Sequence, residues 1–373
     1  MRKLLFLGFA HHALDDRLYY RQVCKLIDAY PELECIYAGT DSMGESIKSP
    51  TERYRILHLF KYKYSSRYMK WVAFLRACIK ENPRWIQASD VREMIPALII
   101  KLFTNSQLIY DSHEDYFNQA YEYSGKTIRG FIRGSVYRLI ELAFVRFSDA
   151  VFCTDDYLYS FYKKSIFNAR HVFLLRNFTN LSLVSKYAKP PISDGPFRLV
   201  YIGGVNQHRG VSECGEYVAR YNNEYGKEIL FFDVFGPKNS LIDKLEQEGK
   251  IRYCGSIPHC DIFRTLAGYH AGICLWQKIK KYERNLPIKN FEYMAVGLPV
   301  ITSNFGNIGE YVRQVNCGLC TDPLNYYDFK EAINNLRNLK NWRMLSENGI
   351  RATKEMYNLS LEIEPYLSLF SIT

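Results

Sequence analysis

Short apolar runs alternate with longer amphipathic segments along the first half of this 373-residue chain. The short runs are nearly continuously apolar, which is typical of strands buried on both faces of a sheet. The longer segments repeat apolar residues at helical spacing. This alternation predicts a parallel sheet covered by helices on both faces. The predicted strands are 3–9, 33–38, 55–59, 85–88, 107–110, 150–154 and 171–175, and the predicted helices are 16–30, 67–80, 91–103 and 127–147.

A proline-rich break divides the chain at 189–196, where three prolines and a glycine suit a linker between domains. Beyond it the strand–helix alternation restarts, and the apolar tail after 358 predicts a packed helix. We therefore predict an N-terminal Rossmann-like domain over 1–188 and a C-terminal one over 197–357. The strands predicted for the second domain are 198–202, 229–234, 251–253, 271–275 and 300–302.

The segment 286–300 carries the most distinctive pattern of the chain. Pro287 suits the first position of a helix, and Gly297 suits a left-handed residue that ends it. Lys289 then lies in the first turn, where a cation opposes the helix dipole. A lysine beside the N–H groups of a helix start forms a positive site that suits a phosphate group. Glu292, one turn later, can accept two hydrogen bonds from a vicinal diol such as a ribose.

The same helix has two distinguishable faces at helical spacing. Lys289, Glu292 and Val296 share one face, so a lysine and a glutamate on an ordinary solvated surface are the alternative interpretation. The other face is predicted to be buried and consists of Ile288, Phe291, Met294 and Ala295.

Polar residues follow two predicted strands at their carboxyl ends, where parallel sheets usually bind their ligands. Asp111, His113 and Glu114 come directly after one strand, and a histidine beside carboxylates can orient a hydroxyl or transfer a proton. His11 and His12 follow the first strand in the same way. Each histidine could equally anchor its own loop, and both interpretations remain open.

A glycine pair closes the first strand of the second domain. Gly203 and Gly204 let the backbone approach a bound group, and Arg209 offers a forked pair of donors for phosphate oxygens. The loop matches neither common glycine-rich phosphate motif, so an ordinary turn is the alternative.

Taken in order, these segments resemble a GT-B glycosyltransferase of glycosyltransferase family four, the retaining group that uses nucleotide sugars. The resemblance covers most of the chain. Arg284 stands where the family's E-x7-E pattern has an acidic residue, and Gly204 stands where a basic residue is often found. The matching segments are Asp15-Asp16-Arg17 at a helix start, Asp111-Ser112-His113-Glu114, the loop 201–210, and the helix 287–295 with Gly297-Leu298-Pro299-Val300.

This resemblance implies an α/β fold in which two Rossmann-like domains face each other across a cleft, with the tail 358–373 packing on the first domain. Arg209, Lys289 and the amides around Ile288 would hold the donor diphosphate, and Glu292 would hold the ribose. His113 would face the sugar or the acceptor, so the catalytic candidates are Arg209, Lys289 and His113. The remaining donor-binding candidates are Gly203, Gly204 and Pro287, and the remaining acceptor-side candidates are His11, His12, Asp111 and Glu114.

The implied reaction moves a sugar from a nucleoside diphosphate to a glycan or lipid-linked acceptor with retention, as in surface polysaccharide or glycolipid synthesis. We expect no protein nucleophile, no metal site and no cofactor beyond the nucleotide sugar as co-substrate. The alternatives are a non-catalytic homologue that binds nucleotide sugars or acts as a scaffold, and a sugar-nucleotide epimerase on the same fold.

The composition restricts the binding partners and the cellular compartment that we expect for this protein. The net charge of +10 favours anionic partners, and no helix-turn-helix, zinc or RNP-type motif points to nucleic acid. Ten scattered cysteines fit a reducing cytoplasm, and Cys317-Gly318-Leu319-Cys320 is interpreted as buried small residues rather than a redox motif. No run reaches the ~20 apolar residues that span a bilayer. We expect a cytoplasmic protein.

Two basic, aromatic stretches, 61–80 and 126–146, suit either an anionic membrane surface or two solvated helix faces. In the first case the protein would be peripheral on the inner face of the membrane.

Overall fold

A computed structural model describes residues 2–9, 12–39, 50–58, 66–164, 171–184 and 195–371. The chain forms two units, one from Met1–Arg176 with Glu362–Thr373 and the other from Asn177–Leu361. Residues 189–194 of the predicted linker 189–196 lie outside the described residues. The domain boundaries drawn from the sequence therefore stay a prediction.

The first unit is built on a seven-stranded parallel sheet with the order β3-β2-β1-β4-β5-β6-β7. All seven strands were predicted, with ends that differ by one or two residues. The apolar runs dictate this arrangement, because a strand such as Trp85–Ala88 is buried at every position. The strands are β1 Arg2–Gly8, β2 Leu33–Gly39, β3 Tyr54–His58, β4 Trp85–Ala88, β5 Gln107–Ser112, β6 Ala150–Cys153 and β7 Val172–Leu174.

Helices connect these strands, as the amphipathic segments predict. The predicted helix 16–30 begins as a π-helix, Asp16–Val23, and continues as α1, Cys24–Ala29. Asp15 caps it by accepting hydrogen bonds from the N–H groups of Arg17 and Leu18. The other helices are α2 Arg67–Lys80, α3 Val91–Phe103, α4 Tyr116–Tyr123, α5 Ile128–Phe147 and α6 Asp156–Lys164.

The second unit is built on a six-stranded parallel sheet with the order β10-β9-β8-β11-β12-β13. Five of these strands were predicted, and the sixth, which includes part of the C-x-x-C segment, was not. Gly318–Thr321 is a strand whose Gly318 lies so close to β12 that a Cβ would meet the Val300 carbonyl oxygen at 2.1 Å. The strands are β8 Phe197–Ile202, β9 Leu230–Phe235, β10 Arg252–Tyr253, β11 Ala271–Cys274, β12 Val300–Ser303 and β13 Gly318–Thr321.

The helices of the second unit cover both faces of this sheet. They are α7 Val211–Tyr225, α8 Ser240–Gln247, α9 Ile262–Leu266, α10 Lys280–Glu283, α11 Ile288–Ala295, α12 Gly306–Val315, α13 Tyr326–Leu336 and α14 Leu339–Glu355.

The C-terminal tail is less helical than its apolar composition predicts. It consists of a 3₁₀ turn, Leu359–Leu361, and a five-residue helix α15, Glu364–Ser368. The α15 segment packs on the first unit's sheet, where the Tyr366 hydroxyl donates to Gln87 Oε1 at 2.7 Å. The predicted α/β fold with two Rossmann-like domains is confirmed by these two parallel sheets. Within the described residues, no helix is both long and apolar enough to cross a membrane.

Candidate functional site

The loop that follows β8 lies at the carboxyl end of this strand, in the sheet of the second unit. Gly203 takes φ 123°, a conformation that L side chains rarely adopt, while its N–H donates to the Phe235 carbonyl at 2.9 Å. A Cβ at Gly204 would meet nothing within 4 Å, so this part of the backbone borders open space. The Tyr201 hydroxyl donates to the Gly204 carbonyl at 2.7 Å and fixes the loop from below. The loop therefore presents backbone at the carboxyl end of β8.

The helix α11 begins one residue later than its proline predicts. Pro287 has φ −67° and ψ 123°, so it is the N-cap in an extended conformation and Ile288 is the first helical residue. No side chain caps this end. The end of the helix agrees with the sequence, since Gly297 follows with φ 81° in the left-handed region. The uncapped first turn leaves N–H groups available to a ligand.

Burial of α11 on every side corrects the predicted two-faced helix. All residues from Lys289 to Ala295 are buried. On one side Tyr293 packs under Gly272, and its hydroxyl accepts the N–H of Ile202 at 3.1 Å. On the other side α14 covers the helix, with Ser346 Oγ donating to the Gly297 carbonyl at 2.6 Å. Lys289 and Glu292 are therefore interior residues, and the alternative of a solvated surface is excluded.

Lys289 is a buried amine with no hydrogen-bond partner among the described residues. Its side chain is 7% exposed, and Nζ lies 3.6 Å from the centre of the Tyr201 ring. A Cβ at Gly203 would come within 3.2 Å of this nitrogen, which places Nζ against the glycine loop. The pKa of Lys289 is lowered to about 7, chiefly by burial and also by the charge of Arg209, while Cys274 and Glu292 oppose the shift.

Arg209 lies at the end of the same loop. Its guanidinium carbon is 5.0 Å from the centre of the Trp276 ring, and its Nε has no hydrogen-bond partner within the described ranges. Gly210 fixes this position because it begins α7 with φ 68° and a Cβ there would meet the Leu275 carbonyl oxygen at 1.7 Å. The structure thus brings the glycine loop, Arg209 and Lys289 together at one end of the sheet. Two cations that share a buried position favour an anion between them.

Glu292 is buried at 6% exposure beside this site. The nearest histidine nitrogen, His259 Nε2, lies 4.0 Å from Glu292 Oε1. His259 was not predicted as a site residue, although it follows β10 in the chain and residues after parallel strands often bind ligands. Tyr201 and Trp276, whose aromatic rings contact the two cations, were not predicted either. No local signal in the sequence distinguishes these two from ordinary core aromatics.

In the first unit, Asp111 is engaged by neighbouring side chains. Arg17 Nε donates to it at 2.9 Å and Gln22 Nε2 at 2.7 Å. Burial by itself raises the pKa of Asp111, but Arg17 and His113 outweigh burial and hold the pKa below its usual value. These contacts make Asp111 an anchor for Arg17 at the carboxyl end of β5.

The other acceptor-side candidates lie near the same sheet edge. His113 is largely buried, with Nε2 3.5 Å from Asp111 Oδ2. Glu114 accepts a hydrogen bond from Gln119 Nε2 at 3.3 Å. His12 is exposed, and its Nδ1 accepts the Leu14 N–H at 3.1 Å, so it anchors its own loop. His11 lies outside the described residues.

A buried carboxylate that the sequence analysis did not single out organises two loops of this edge. Glu93, fully buried in α3, accepts N–H groups from Phe9 at 2.7 Å, Ser89 at 2.7 Å and Asp90 at 3.0 Å. Burial raises its pKa to about 7, against the effect of these hydrogen bonds. The capping-box spacing of Asp90 and Glu93 was the readable signal. Glu93 ties the end of β1 to the end of β4.

Comparison with known proteins agrees with this arrangement. Residues 186–354 match the family model described as glycosyl transferases group 1, and the match includes the glycine loop, Arg209 and α11. A search of curated protein sequences found no match. Residues 186–354 are thus similar to a glycosyl transferases group 1 domain, and the assignment to family four stays a prediction.

Solved structures share the fold over the whole chain. Sucrose-phosphate synthase from Thermosynechococcus elongatus is 16% identical, with a TM-score of 0.73 and 99% of each chain covered. HepE from Anabaena, solved with UDP and glucose, is 11% identical, with a TM-score of 0.70 and full coverage of both chains. WaaG, a glycosyltransferase of lipopolysaccharide biosynthesis, is 12% identical, with a TM-score of 0.70 and coverage of 99% of this chain and 100% of that one.

Proposed function

We propose that this protein is a retaining glycosyltransferase that moves a sugar from a nucleoside diphosphate sugar to a glycan or lipid-linked acceptor. The proposed setting is the synthesis of a surface polysaccharide or glycolipid, in the cytoplasm at the inner face of the membrane. The glycosyltransferase class has the support of the family match and of the fold. Retention of the anomeric configuration, the class of acceptor and the membrane setting are the parts of the proposal that go beyond this support.

The observation that carries the proposal is the buried Lys289 amine, which has no hydrogen-bond partner in the part of the chain that the structure describes. A buried ammonium is costly unless an anion or other acceptors compensate it. Arg209, the uncapped start of α11 and the open backbone at Gly204 border the same space. A diphosphate supplies the charge and the oxygens that all of these groups can bind.

The same groups would assist the reaction because negative charge grows on the diphosphate as it leaves. The bond between the anomeric carbon and the β-phosphate oxygen breaks, and the electron pair goes to the phosphate. The acceptor hydroxyl then bonds to the anomeric carbon on the same face and gives its proton to a phosphate oxygen. Fixed cations at the leaving group stabilise this transition state. We therefore propose a reaction that needs no protein nucleophile, no metal ion and no further cofactor.

Glu292 is proposed to accept the ribose hydroxyls, one helical turn from Lys289. His113 and Glu114, at the end of β5, are the proposed contacts with the sugar or the acceptor. The proposal thus assigns donor binding to the C-terminal unit and acceptor binding to the N-terminal unit.

Calorimetric titration with UDP and with GDP tests the donor site. UDP comes first because HepE was solved with UDP and a trehalose-6-phosphate protein from E. coli with UDP-2-fluoro glucose. Each charge-assisted hydrogen bond is worth about 1.5–3 kcal/mol, so Lys289→Ala or Arg209→Ala should weaken binding roughly ten- to a hundred-fold. Glu292→Gln should raise mainly the donor KM. Lys340→Ala, an exposed lysine of the same unit, is the matched control.

Product analysis tests the chemistry. Transfer should persist in excess EDTA, and proton NMR of the first-formed linkage should show the anomeric configuration of the donor. An inverted linkage or complete loss of transfer in EDTA would contradict the proposed mechanism. Nucleotide binding without any transfer or hydrolysis would favour the non-catalytic alternative, and unchanged affinity in both alanine variants would remove the proposed donor site.

A further inference from the structure

Helix α5 exposes a continuous apolar stripe. Ile128 is 77% exposed and Leu139 is 65% exposed, values that are unusual for large aliphatic side chains in a helix of the outer layer. The stripe follows the spacing of three and four residues that places side chains on one helix face. Its exposed members are Ile128, Phe131, Ile132, Val136, Leu139 and Phe147.

Helix α3 extends this apolar surface at its C-terminal end. Leu102 is 82% exposed and Phe103 is 70% exposed. Lys101 Nζ contacts Asp149 Oδ2 at 3.0 Å, and Asp149 follows the end of α5 closely, so the two helices end side by side. We call the surface formed by the α5 stripe with Leu102 and Phe103 the α3–α5 face. A contiguous exposed apolar surface that none of the described residues covers marks an interaction site.

The exposed charges of α5 are of one sign. Arg129, Arg133 and Arg146 are exposed on α5, and Lys126 is exposed just before it. The single acidic residue of α5, Glu141, is fully buried and accepts hydrogen bonds from Tyr110 and Tyr162. The exposed surface of α5 therefore combines apolar side chains with cations only.

Two members of the basic stretch identified in the sequence do not belong to this surface. Arg138 donates to Asp115 Oδ1 at 2.6 Å and to Glu141 Oε2 at 2.9 Å, so its charge is compensated inside the unit. Phe144 is fully buried. In the other stretch, residues 61–65 lie outside the described residues, and Trp71 packs edge-to-face on Phe9. Exposed apolar side chains and exposed cations therefore occur together most clearly on α5 and the end of α3, and the role of the 61–80 stretch stays a prediction.

We propose that the α3–α5 face docks this protein on an anionic phospholipid bilayer. Apolar side chains along the stripe would enter the boundary between headgroups and acyl chains, as in helices that lie in a membrane interface. The arginines at the edges of the stripe would contact lipid phosphates. The absence of exposed acidic residues on α5 favours an anionic surface over a protein surface of mixed charge. This proposal goes beyond the transfer reaction and does not depend on it.

Vesicle flotation of the full chain tests the charge requirement. The protein should bind vesicles of phosphatidylcholine with phosphatidylglycerol and bind vesicles of phosphatidylcholine alone much more weakly. Each arginine removed should weaken binding by a factor of about five. The double variant Arg129→Glu with Arg146→Glu should therefore lose about 25-fold or more. The two substitutions should change the stability of α5 in opposite directions, because a glutamate is favourable near the positive end of the helix dipole at Arg129 and unfavourable near the negative end at Arg146.

A second pair of variants tests the apolar requirement. Ile132→Ser with Leu139→Ser should reduce binding to anionic vesicles on the order of ten-fold or more and should leave some binding that salt removes. Both side chains are exposed, so the fold should be retained. The matched controls are on the other unit: Leu324→Ser for the apolar pair and Lys340→Glu with Arg343→Glu for the charged pair.

Insertion depth gives an independent readout. Leu139→Trp should show fluorescence quenching by brominated lipid in anionic vesicles, whereas the exposed control Leu324→Trp should not. Equal binding to neutral and anionic vesicles, or unchanged binding in both double variants, would overturn the proposal. A concentration-dependent dimer that Leu139→Ser abolishes would also overturn it, because a second copy of the chain would then cover the face. UDP affinity should be the same in all of these variants, which separates this proposal from the proposed reaction.

Discussion

Replacing Lys289 with methionine should stabilise the free protein while it weakens donor binding. The buried ammonium has a pKa lowered from 10.5 to about 7. At about 1.4 kcal/mol per pKa unit, this shift corresponds to a penalty of roughly 5 kcal/mol below pH 7. Attraction to the Tyr201 ring, on the order of 1–2 kcal/mol, offsets part of it. Lys289→Met keeps the volume without the charge, so the second unit should gain about 3 kcal/mol at pH 6.

The sign of the pH dependence follows from the direction of the shift. Between about pH 7 and 10.5 the unfolded chain binds the Lys289 proton and the folded chain does not, so wild-type stability rises with pH in this window. The advantage of Lys289→Met is therefore complete below pH 7 and disappears towards pH 10.5. Urea denaturation of both proteins at several pH values measures this difference.

Ligand binding should reduce the stability difference between the two proteins. UDP at a hundred times its wild-type Kd should stabilise the wild type by about 2.7 kcal/mol, and should stabilise Lys289→Met, with its ten- to hundred-fold weaker binding, by only about 0.4–1.4 kcal/mol. Lys340→Met, at an exposed position, should alter neither measurement. A free Lys289→Met protein that is less stable than the wild type at pH 6 would refute the reasoning, because the ammonium would then have a compensating partner.

Three further variants test other contacts of the two units. Gly203→Val should abolish UDP binding in calorimetry, since the φ of 123° is strained for valine and its Cβ would lie 3.2 Å from Lys289 Nζ; unchanged affinity would separate the loop from the donor site. Asp111→Asn should destabilise the protein by about 3–5 kcal/mol in urea denaturation, because Arg17 loses its buried carboxylate; a loss below 1 kcal/mol would show that Arg17 finds another acceptor. His113→Ala should lower transfer but leave UDP affinity unchanged, and a weakened affinity would contradict its assignment to the acceptor.

Local patterns determined most of the architecture. Alternation of short apolar runs with amphipathic segments is encoded within each segment, and it predicted all seven strands of the first sheet and five of the second. The start and end of α11 could also be predicted from the local sequence, because Pro287 and Gly297 have characteristic backbone angles. Even there, the proline is the N-cap and not the first helical residue, since only the neighbouring turn decides its ψ.

Segments whose environment comes from distant parts of the chain were predicted less well. Gly318–Thr321 carries little strand signal of its own and becomes a strand because β12 pairs with it. Helix α11 looked amphipathic, but Lys289, on the face that could have been left to solvent, is buried against Tyr201 and Gly203. Arg138 looked like a surface cation until Asp115 and Glu141 were seen to bind it.

The chemistry of the candidate site shows the same division. The residue types of the site, two cations, a carboxylate and a pair of glycines, were readable from the sequence. Their electrostatic state was not, because the pKa of Lys289 depends on burial beneath Tyr201 and Gly203, which lie more than eighty residues away in the chain. Those neighbours meet only when β8 and α11 pack on the same sheet. A sequence specifies which groups are present, whereas desolvation and distance, which set their energies, exist only in the folded chain.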